Sequence, residues 1–220
     1  MHRIPPLSHL ESVLGAAIRI DAAVGGVLQV MAPDRRTLTM LVCRGLTPEF
    51  EQHFAEVVEG DGSACSQAMT ERRRVVIRDV DIDPDFAPHR DLAAACGFRA
   101  VQSTPLIDSD NRLLGMLSTH FAQPHHPSTA SLKDLDRCCH VASLMLECLA
   151  HKEAIEELDR KTGVPFRALS PHGAHAANAA RTLLPLLAQD TGHVLLAKVE
   201  TNMGIVAVEL SALQKRLAVA

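Results

Sequence analysis

The sequence predicts an α+β fold in which an antiparallel sheet is flanked by helices, and two observations indicate it. Along the chain the expected order is helix, two strands, helix, strand, helix, strand, long loop, two strands and a long helix. Strand–helix–strand crossovers, which build parallel sheets, are few, whereas hairpins are several. The 220-residue length accommodates one domain of about 150 residues and a smaller segment.

The N-terminal half supplies a helix, a hairpin and three short elements. Apolar residues at 3,4 spacing predict a helix over 7–22. GGVLQVMAP and TLTMLVCRG, separated by the polar residues 34–36, predict a β-hairpin. A helical turn is expected after Pro48, a strand at AEVVEGDG, a helix capped by Ser63 and a strand at VVIRD.

Residues 79 to about 161 are predicted to begin with a loop and to end with a long helix. DVDIDPDFAPHRD (79–91) is acidic and carries two prolines, which predicts a loop, and a short helix over 91–96 follows it and stops at Gly97. AVQSTPLIDSDNRLLGMLSTHF (100–121) predicts a hairpin around a polar turn. A helix is expected from about Ser128 to about Lys161, as a coiled-coil seam or docked on the sheet. Its apolar stripe consists of Leu132, Leu135, Cys139, Ala142, Leu146 and Leu149.

Composition excludes several classes of protein. The net charge is −4 and the aromatic residues, 3% of the chain, include no Trp or Tyr, so neither a basic face nor stacking platforms for nucleic acid are expected. No run approaches the ~20 apolar residues of a membrane span, and the N-terminus lacks the apolar core of a secretory signal. We therefore expect a cytoplasmic chain whose six cysteines, without a repeated Cys-x-x-Cys, are reduced thiols.

Three segments, taken in their order along the chain, carry a resemblance to a known family. They are GDGSACSQAM (60–69), the segment from VVIRDVD to MLSTHF (75–121), and PSTASLKDLDRC (127–138). In this order and spacing they resemble the GAF domain family of small-molecule and redox sensors, over about residues 7–155. The resemblance implies a six-stranded antiparallel sheet with the terminal helices on one face and a ligand pocket on the other. It also implies signalling through those helices to a kinase, a cyclase or a transcription activator.

The specialised subsets of the family are not matched. The Asn-Lys-Phe-Asp-Glu signature of cyclic-nucleotide-binding members is absent, and so is the cysteine pattern of the free methionine sulfoxide reductases. The Cys-His pair that tethers bilin would be expected near the last strands, whereas Cys139-His140 lies on the predicted long helix. The resemblance therefore names no ligand and no cofactor.

The candidate binding residues come mainly from the hairpin, whose strands carry polar side chains in a sheet that should bury them. Strand side chains alternate between faces. The register of the hairpin leaves two alternatives. If Ile107 pairs with Arg112, Ser103 lies opposite Met116, and one face carries Ser103, Ser118 and His120. If the loop is one residue longer, Gln102 lies opposite Ser118, and one face carries Gln102, Thr104, Ser118 and His120. Phe86 is expected as a lid residue. The candidates are thus Cys65, Phe86, Gln102, Ser103, Thr104, Ser118 and His120.

Catalytic and metal-binding chemistry find less support in the sequence. Cys65 lies in the first turn of a helix, where the macrodipole lowers a thiol pKa, so a redox sensor using Cys65, with Cys96, is an alternative to an inert buried thiol. The four alternating aspartates of the 79–91 loop lack the spacing of a calcium loop, and we expect them in capping, for example Asp85 before Phe86. No activated nucleophile motif occurs, so we predict no catalytic residues and no metal site.

Residues 161–220 follow the GAF-like domain, which is assigned to 1–160. From Leu196 to Leu217 apolar residues alternate at 3,4 spacing, which predicts a coiled coil or helical hairpin and therefore a homodimer. The sequence favours a cytoplasmic sensor that binds a small molecule and passes the signal to a partner such as a kinase or regulator. Its alternatives are a ligand-free dimerisation module and the thiol sensor.

Overall fold

The computed structural model describes residues 7–108 and 110–162, with side chains as far as residue 150. Of the described residues, 7–148 belong to one compact unit, to which the following paragraphs refer, and 149–162 belong to a second. The predicted C-terminal helices of 163–220 lie outside the described residues, and the division into 1–160 and 161–220 stays a prediction.

The described elements follow the predicted order. The helices are α1 (Leu7–Ile20), α2 (Pro48–His53), α3 (Ala64–Glu71), α4 (Arg90–Ala95) and α5 (Thr129–Thr162). The strands are β1 (Gly25–Met31), β2 (Thr37–Arg44), β3 (Glu56–Val58), β4 (Val75–Ile77), β5 (Ala100–Ile107) and β6 (Leu113–Phe121). A short 3-10 turn, Ala87–His89, lies within the segment that the sequence predicted as a loop.

Hydroxyl side chains cap the first turns of three helices, of which the Ser63 cap and the helix start near Ser128 were predicted from the sequence. Thr47 caps α2, with its side chain accepting a hydrogen bond from the backbone N–H of Phe50. Ser63 caps α3 in the same way through the N–H of Ser66, and Ser128 Oγ accepts from the N–H of Ser131 at the start of α5. Each cap satisfies a donor that the first helical turn leaves open.

The six strands form one antiparallel sheet in the order β3-β2-β1-β6-β5-β4. This confirms the predicted α+β fold with a six-stranded antiparallel sheet. The first and last long strands, β1 and β6, are neighbours at the centre, so residues far apart in sequence meet there. Within the described residues, none of the helices has the length and apolar character needed to cross a membrane.

Helices α1 and α5 cover one face of the sheet, which we call the helix face. A Cβ atom added at Gly26 would lie 3.0 Å from Leu14 of α1, and one at Gly115 would lie 3.1 Å from Leu146 of α5. The buried residues include Leu10, Leu14 and Ala17 on α1, and Leu135, Cys139, Ala142 and Leu146 on α5. The apolar stripe of α5 was predicted either to form a coiled-coil seam or to dock on the sheet. From Leu135 to Leu146 it docks on the sheet.

The opposite face carries an aromatic-rich core, and we call it the cavity face. Its cluster includes Phe50 and Phe54 from α2 and its C-cap, Ala64 and Cys65 from α3, and Phe86 and Phe98 from the segments around α4. Val27, Val101 and Met116 reach it from the strands. The segments that connect β2 to β3, β3 to β4 and β4 to β5 thus cover this face.

The hairpin register differs from both alternatives considered from the sequence. Ser103 pairs with Ser118, and a register shift falls between Leu106 and Ile107. The turn itself is the loop that is one residue longer: Ile107 pairs with Leu113, Asp108 N donates to Arg112 O at 3.0 Å, and the Asp108 carboxylate accepts from Arg112 N at 2.8 Å. The register shift adds one more residue, so that Ser103 rather than Gln102 lies opposite Ser118. Ser103, Ser118 and His120 consequently share the cavity face, one of the two predicted groupings.

Candidate functional site

A small enclosed space lies between the sheet and its cover. Its volume is about 20 Å³, which is room for one water molecule. It is lined by Val27, Gln29, Phe50, Phe54, Ser63, Ala64, Cys65, Phe86, Phe98, Val101 and His120. The site therefore holds little free space, because its own side chains fill most of it.

Five of the eleven lining residues carry aromatic rings. The Phe50 and Phe54 rings, one helical turn apart, have centroids 4.8 Å from each other. His120 from β6 stands edge-on to Phe50 at 4.9 Å and to Phe98 at 4.8 Å. Such edge-to-face pairs are favourable contacts for aromatic rings, so they fix the orientation of the imidazole.

Two polar atoms in this wall have no hydrogen-bond partner among the described residues: Gln29 Oε1 and His120 Nδ1. Gln29 is fully buried, and its Nε2 donates to the carbonyl of Phe54 at 3.3 Å. His120 is 4% exposed, and burial lowers its pKa to about 3, so the ring is neutral. The wall thus includes two residues, Gln29 and His120, that each carry a buried polar atom without a partner among the described residues.

Beside the cavity, Cys65 and two serines form a hydrogen-bonded triangle. Ser103 Oγ and Ser118 Oγ are 2.8 Å apart, and Cys65 Sγ lies 3.4 Å and 3.2 Å from them. Burial raises the pKa of the Cys65 thiol, and the two serine hydrogen bonds oppose that effect without reversing it. The lowering expected from the N-terminus of α3 is therefore outweighed by desolvation.

The segment 79–97, which we call the lid, brings Phe86 into the wall. Asp83 Oδ1 accepts from the backbone N–H groups of Asp85 and Phe86, both at 3.1 Å. Asp83, rather than Asp85 as expected, is the capping residue. Arg90 holds the lid together by donating to the carbonyls of Val80 at 3.0 Å and Asp83 at 2.6 Å.

Two contacts fasten the lid to its surroundings. His89 Nε2 donates to the carbonyl of Asp61 at 2.8 Å, so its Nδ1 can accept from His53 Nε2, 3.0 Å away. Gly62 lies directly against the lid: an added Cβ would sit 2.5 Å from Asp85 O, and its φ of +85° favours glycine. The lid is thereby joined to α2 and to the turn before α3.

The structure does not bring all seven candidates together. Cys65, Phe86 and His120 line the cavity, and Ser103 and Ser118 contact Cys65 behind it. Gln102 and Thr104 have the opposite strand parity and lie on the helix face. There Thr104 Oγ1 accepts from Arg74 Nε at 2.8 Å, and Arg74 also pairs with Asp136 of α5.

The other predicted features have ordinary structural roles. None of the cysteines in the described part of the chain forms a disulfide, and Cys96 contacts Thr47 rather than Cys65. Asp79 of the acidic loop binds Arg99 with both carboxylate oxygens, at 2.9 and 2.7 Å. Over the described residues no three His, Cys, Asp or Glu side chains are grouped so as to hold a metal ion.

Some wall residues were missed from the sequence although signals for them exist. Gln29 is a lone polar residue inside the apolar strand GGVLQVM, on the same parity as Val27. The i,i+4 spacing of Phe50 and Phe54 marks one face of a helix. By contrast, nothing local indicates that His53 meets His89, because the two are 36 residues apart.

An antiparallel sheet with terminal helices on one face and a covered cavity on the other defines a class of small α+β domains. The sequence model of the GAF domain matches residues 8–147, more than half of the chain. The chain therefore belongs to the GAF domain family.

Solved structures agree with this at the level of the fold. A domain of a putative two-component sensor histidine kinase from Sinorhizobium meliloti is 13% identical with a TM-score of 0.54, covering 67% of this chain and 94% of its own. The GAF domain region of a putative membrane protein from Geobacter sulfurreducens is 11% identical with a TM-score of 0.56, covering 64% and 93%. Free methionine-R-sulfoxide reductase from Neisseria meningitidis is 17% identical with a TM-score of 0.51, covering 69% and 84%. A comparison with curated proteins finds no match.

Proposed function

We propose that this chain is a cytoplasmic sensor whose GAF domain binds a small molecule at the cavity and reports the binding through α5. The supporting observation is the pair of buried atoms in the wall, Gln29 Oε1 and His120 Nδ1, that lack a partner within the described residues. An unsatisfied buried polar atom costs about 1–3 kcal/mol. A molecule that bonds to both atoms recovers that cost, which gives it affinity for this site.

Binding and lid movement are coupled in this proposal. About 20 Å³ admits a water molecule and nothing larger, so a metabolite has to displace a wall side chain. Phe86 is the wall residue that the lid supplies. A ligand then favours the open lid to the extent that it binds that state more tightly than the closed one.

The route to α5 runs through the strands that the two faces share. Ser103 faces the cavity side, and the next residue, Thr104, bonds Arg74, which pairs with Asp136 of α5. A shift of β5 on ligand binding is thereby transmitted to the helix. A homodimer formed through 161–220, and a partner such as a kinase or regulator, complete the proposed signalling unit.

Native mass spectrometry of the full chain, with and without a small-metabolite extract, tests this proposal because it reports bound mass and oligomeric state together. We expect a non-covalent adduct that the double variant Gln29→Leu/His120→Phe loses. Absence of an adduct on both the wild-type chain and the lid variant Phe86→Ala overturns the proposal.

A ligand-free dimerisation module is the second candidate, favoured by the observation that the cavity is filled by the protein's own side chains. Under this function Leu210→Asp or Leu213→Asp dissociates the dimer and leaves the GAF domain folded, while no ligand changes the oligomeric state. A shift of the monomer–dimer equilibrium by a bound small molecule would exclude it.

A further inference from the structure

We infer that the cavity takes a neutral, ring-sized molecule that carries a hydrogen-bond donor, and that this ring occupies the place of the Phe86 side chain. The inference rests on the proposed function and specifies the chemistry of its ligand. It follows from three properties of the wall: its charge, the direction of its hydrogen-bonding atoms, and its shape.

The wall contains no charged group. None of the eleven lining residues that the described chain contributes is Asp, Glu, Lys or Arg, and His120 is held neutral by burial, which lowers its pKa to about 3. The nearby guanidinium of Arg90 is engaged with two lid carbonyls. Because a buried charge without a partner costs several kcal/mol, phosphates and carboxylates are disfavoured.

The orientation of Gln29 requires a donor on the ligand. Its Nε2 faces the Phe54 carbonyl at 3.3 Å, and a carbonyl can only accept, so the amide cannot be flipped without losing this bond. Oε1, an obligate acceptor, belongs to a residue that lines the cavity and has no partner among the described residues. An O–H or N–H group on the ligand satisfies it. His120 Nδ1 accepts or donates according to its tautomer.

The shape of the site is that of an aromatic ring. Phe86 stands edge-on to Phe98, with centroids 6.4 Å apart, and is 2% exposed. When the lid withdraws this ring, the space it leaves adds to the existing 20 Å³. A ring in the same place keeps the edge contact with Phe98, and apolar cavities of about 150 Å³ are known to accept benzene. A phenol-like or indole-like molecule meets all three requirements.

The experiment uses the full chain carrying Phe86→Ala, in which the space is open, and three probes of one ring: phenol, anisole and the benzoate anion. Isothermal titration should give phenol about 10-fold tighter binding than anisole, because anisole has no donor and leaves the buried Gln29 Oε1 unsatisfied, a penalty of about 1.4 kcal/mol. Benzoate should bind more weakly than both.

Gln29→Leu in the same background should remove the preference for phenol and leave anisole binding unchanged. The matched control is Gln102→Leu. Gln102 is also a buried glutamine whose Oε1 lacks a partner among the described residues, but it lies on the helix face. This control should preserve the 10-fold preference, whereas loss of the preference in both variants would overturn the assignment to Gln29.

The outcomes separate the inference from the proposed function. Equal affinity for phenol and anisole, or tighter binding of benzoate, overturns the inference while the site remains a binding site. Binding of none of the probes overturns both. If Phe86→Ala does not fold, the same three probes are tested on the wild-type chain by saturation-transfer NMR. A phenol signal that is lost in Gln29→Leu supports the inference. Signals of equal strength for phenol and anisole overturn it.

Discussion

The two faces of the sheet bury polar residues in different ways. On the helix face Thr104 is paired with Arg74, and two glycines let α1 and α5 lie close against the strands. On the cavity face aromatic rings surround a small space, and the polar atoms Gln29 Oε1 and His120 Nδ1 border it. Each face also buries one glutamine with an unpartnered oxygen among the described residues, but of the two only Gln29 lines the cavity. An unpaired atom marks a candidate site when space lies beside it.

The largest effect is expected from Gly115→Ala on the helix face. The new Cβ would lie 2.2 Å from Gln29 O and 3.1 Å from Leu146, so β1 and β6 cannot keep their pairing. We expect the free energy of unfolding, measured with urea, to fall by about 4 kcal/mol. Gly97→Ala is the control: its φ is +75° but nothing lies within 4 Å of the added atom, and about 1 kcal/mol is expected. If both variants lost the same unfolding free energy, the strands and helices of the helix face would have to shift to make room for the Cβ atom at position 115.

The reactivity of Cys65 tests whether the cavity face holds a redox-active thiol. Because burial raises the pKa of Cys65, alkylation by iodoacetamide at pH 7.5 should be on the order of 100-fold slower in the folded chain than in urea. Peptide mass spectrometry measures this residue by residue. Rapid conversion of Cys65 to a sulfenic acid by dilute peroxide in the folded chain would instead support the thiol-sensor alternative.

The buried imidazole of His120 should make stability fall in mild acid. Its pKa is lowered from 6.5 to about 3 in the folded chain, so between these values the unfolded state binds a proton that the folded state does not. Stability is therefore lost as pH falls below about 6.5, by about 2 kcal/mol at pH 5. Urea unfolding of the wild type and His120→Phe at pH 7.5 and 5.0 measures this difference. Parallel losses in both proteins would assign the acid sensitivity elsewhere.

The smallest effects are expected from neighbouring residues of β5 that face opposite ways. Thr104→Val removes the acceptor for Arg74, and Ser103→Ala removes one corner of the serine–cysteine triangle. Each should cost about 1 kcal/mol in unfolding free energy. Ser103→Ala alone should also speed alkylation of Cys65. An equal acceleration by Thr104→Val would show that the two faces are not independent.

The order of the elements and the antiparallel sheet could be predicted from local patterns. Alternation in β1 and β2, the caps Ser63 and Ser128, and the 3,4 stripe of α5 depend on neighbours in sequence, and the structure has them close to the predicted places. The hairpin register could not be predicted in this way. It depends on where Asp108 closes the turn and on a register shift near Ile107, and one residue of slip exchanges the faces of every side chain.

Periodicity and spacing along the chain were enough to predict the fold class, the family resemblance and the two groupings of polar residues that a hairpin allows. Tertiary structure decided which grouping faces the cavity, that Gln29 and Phe98 join His120 there, and that His53 meets His89 across 36 residues. It also decided the state of Cys65: the helix start predicts a lowered pKa, but burial beneath the cover raises it. Desolvation depends on everything packed around a group, and that is a property of the folded chain.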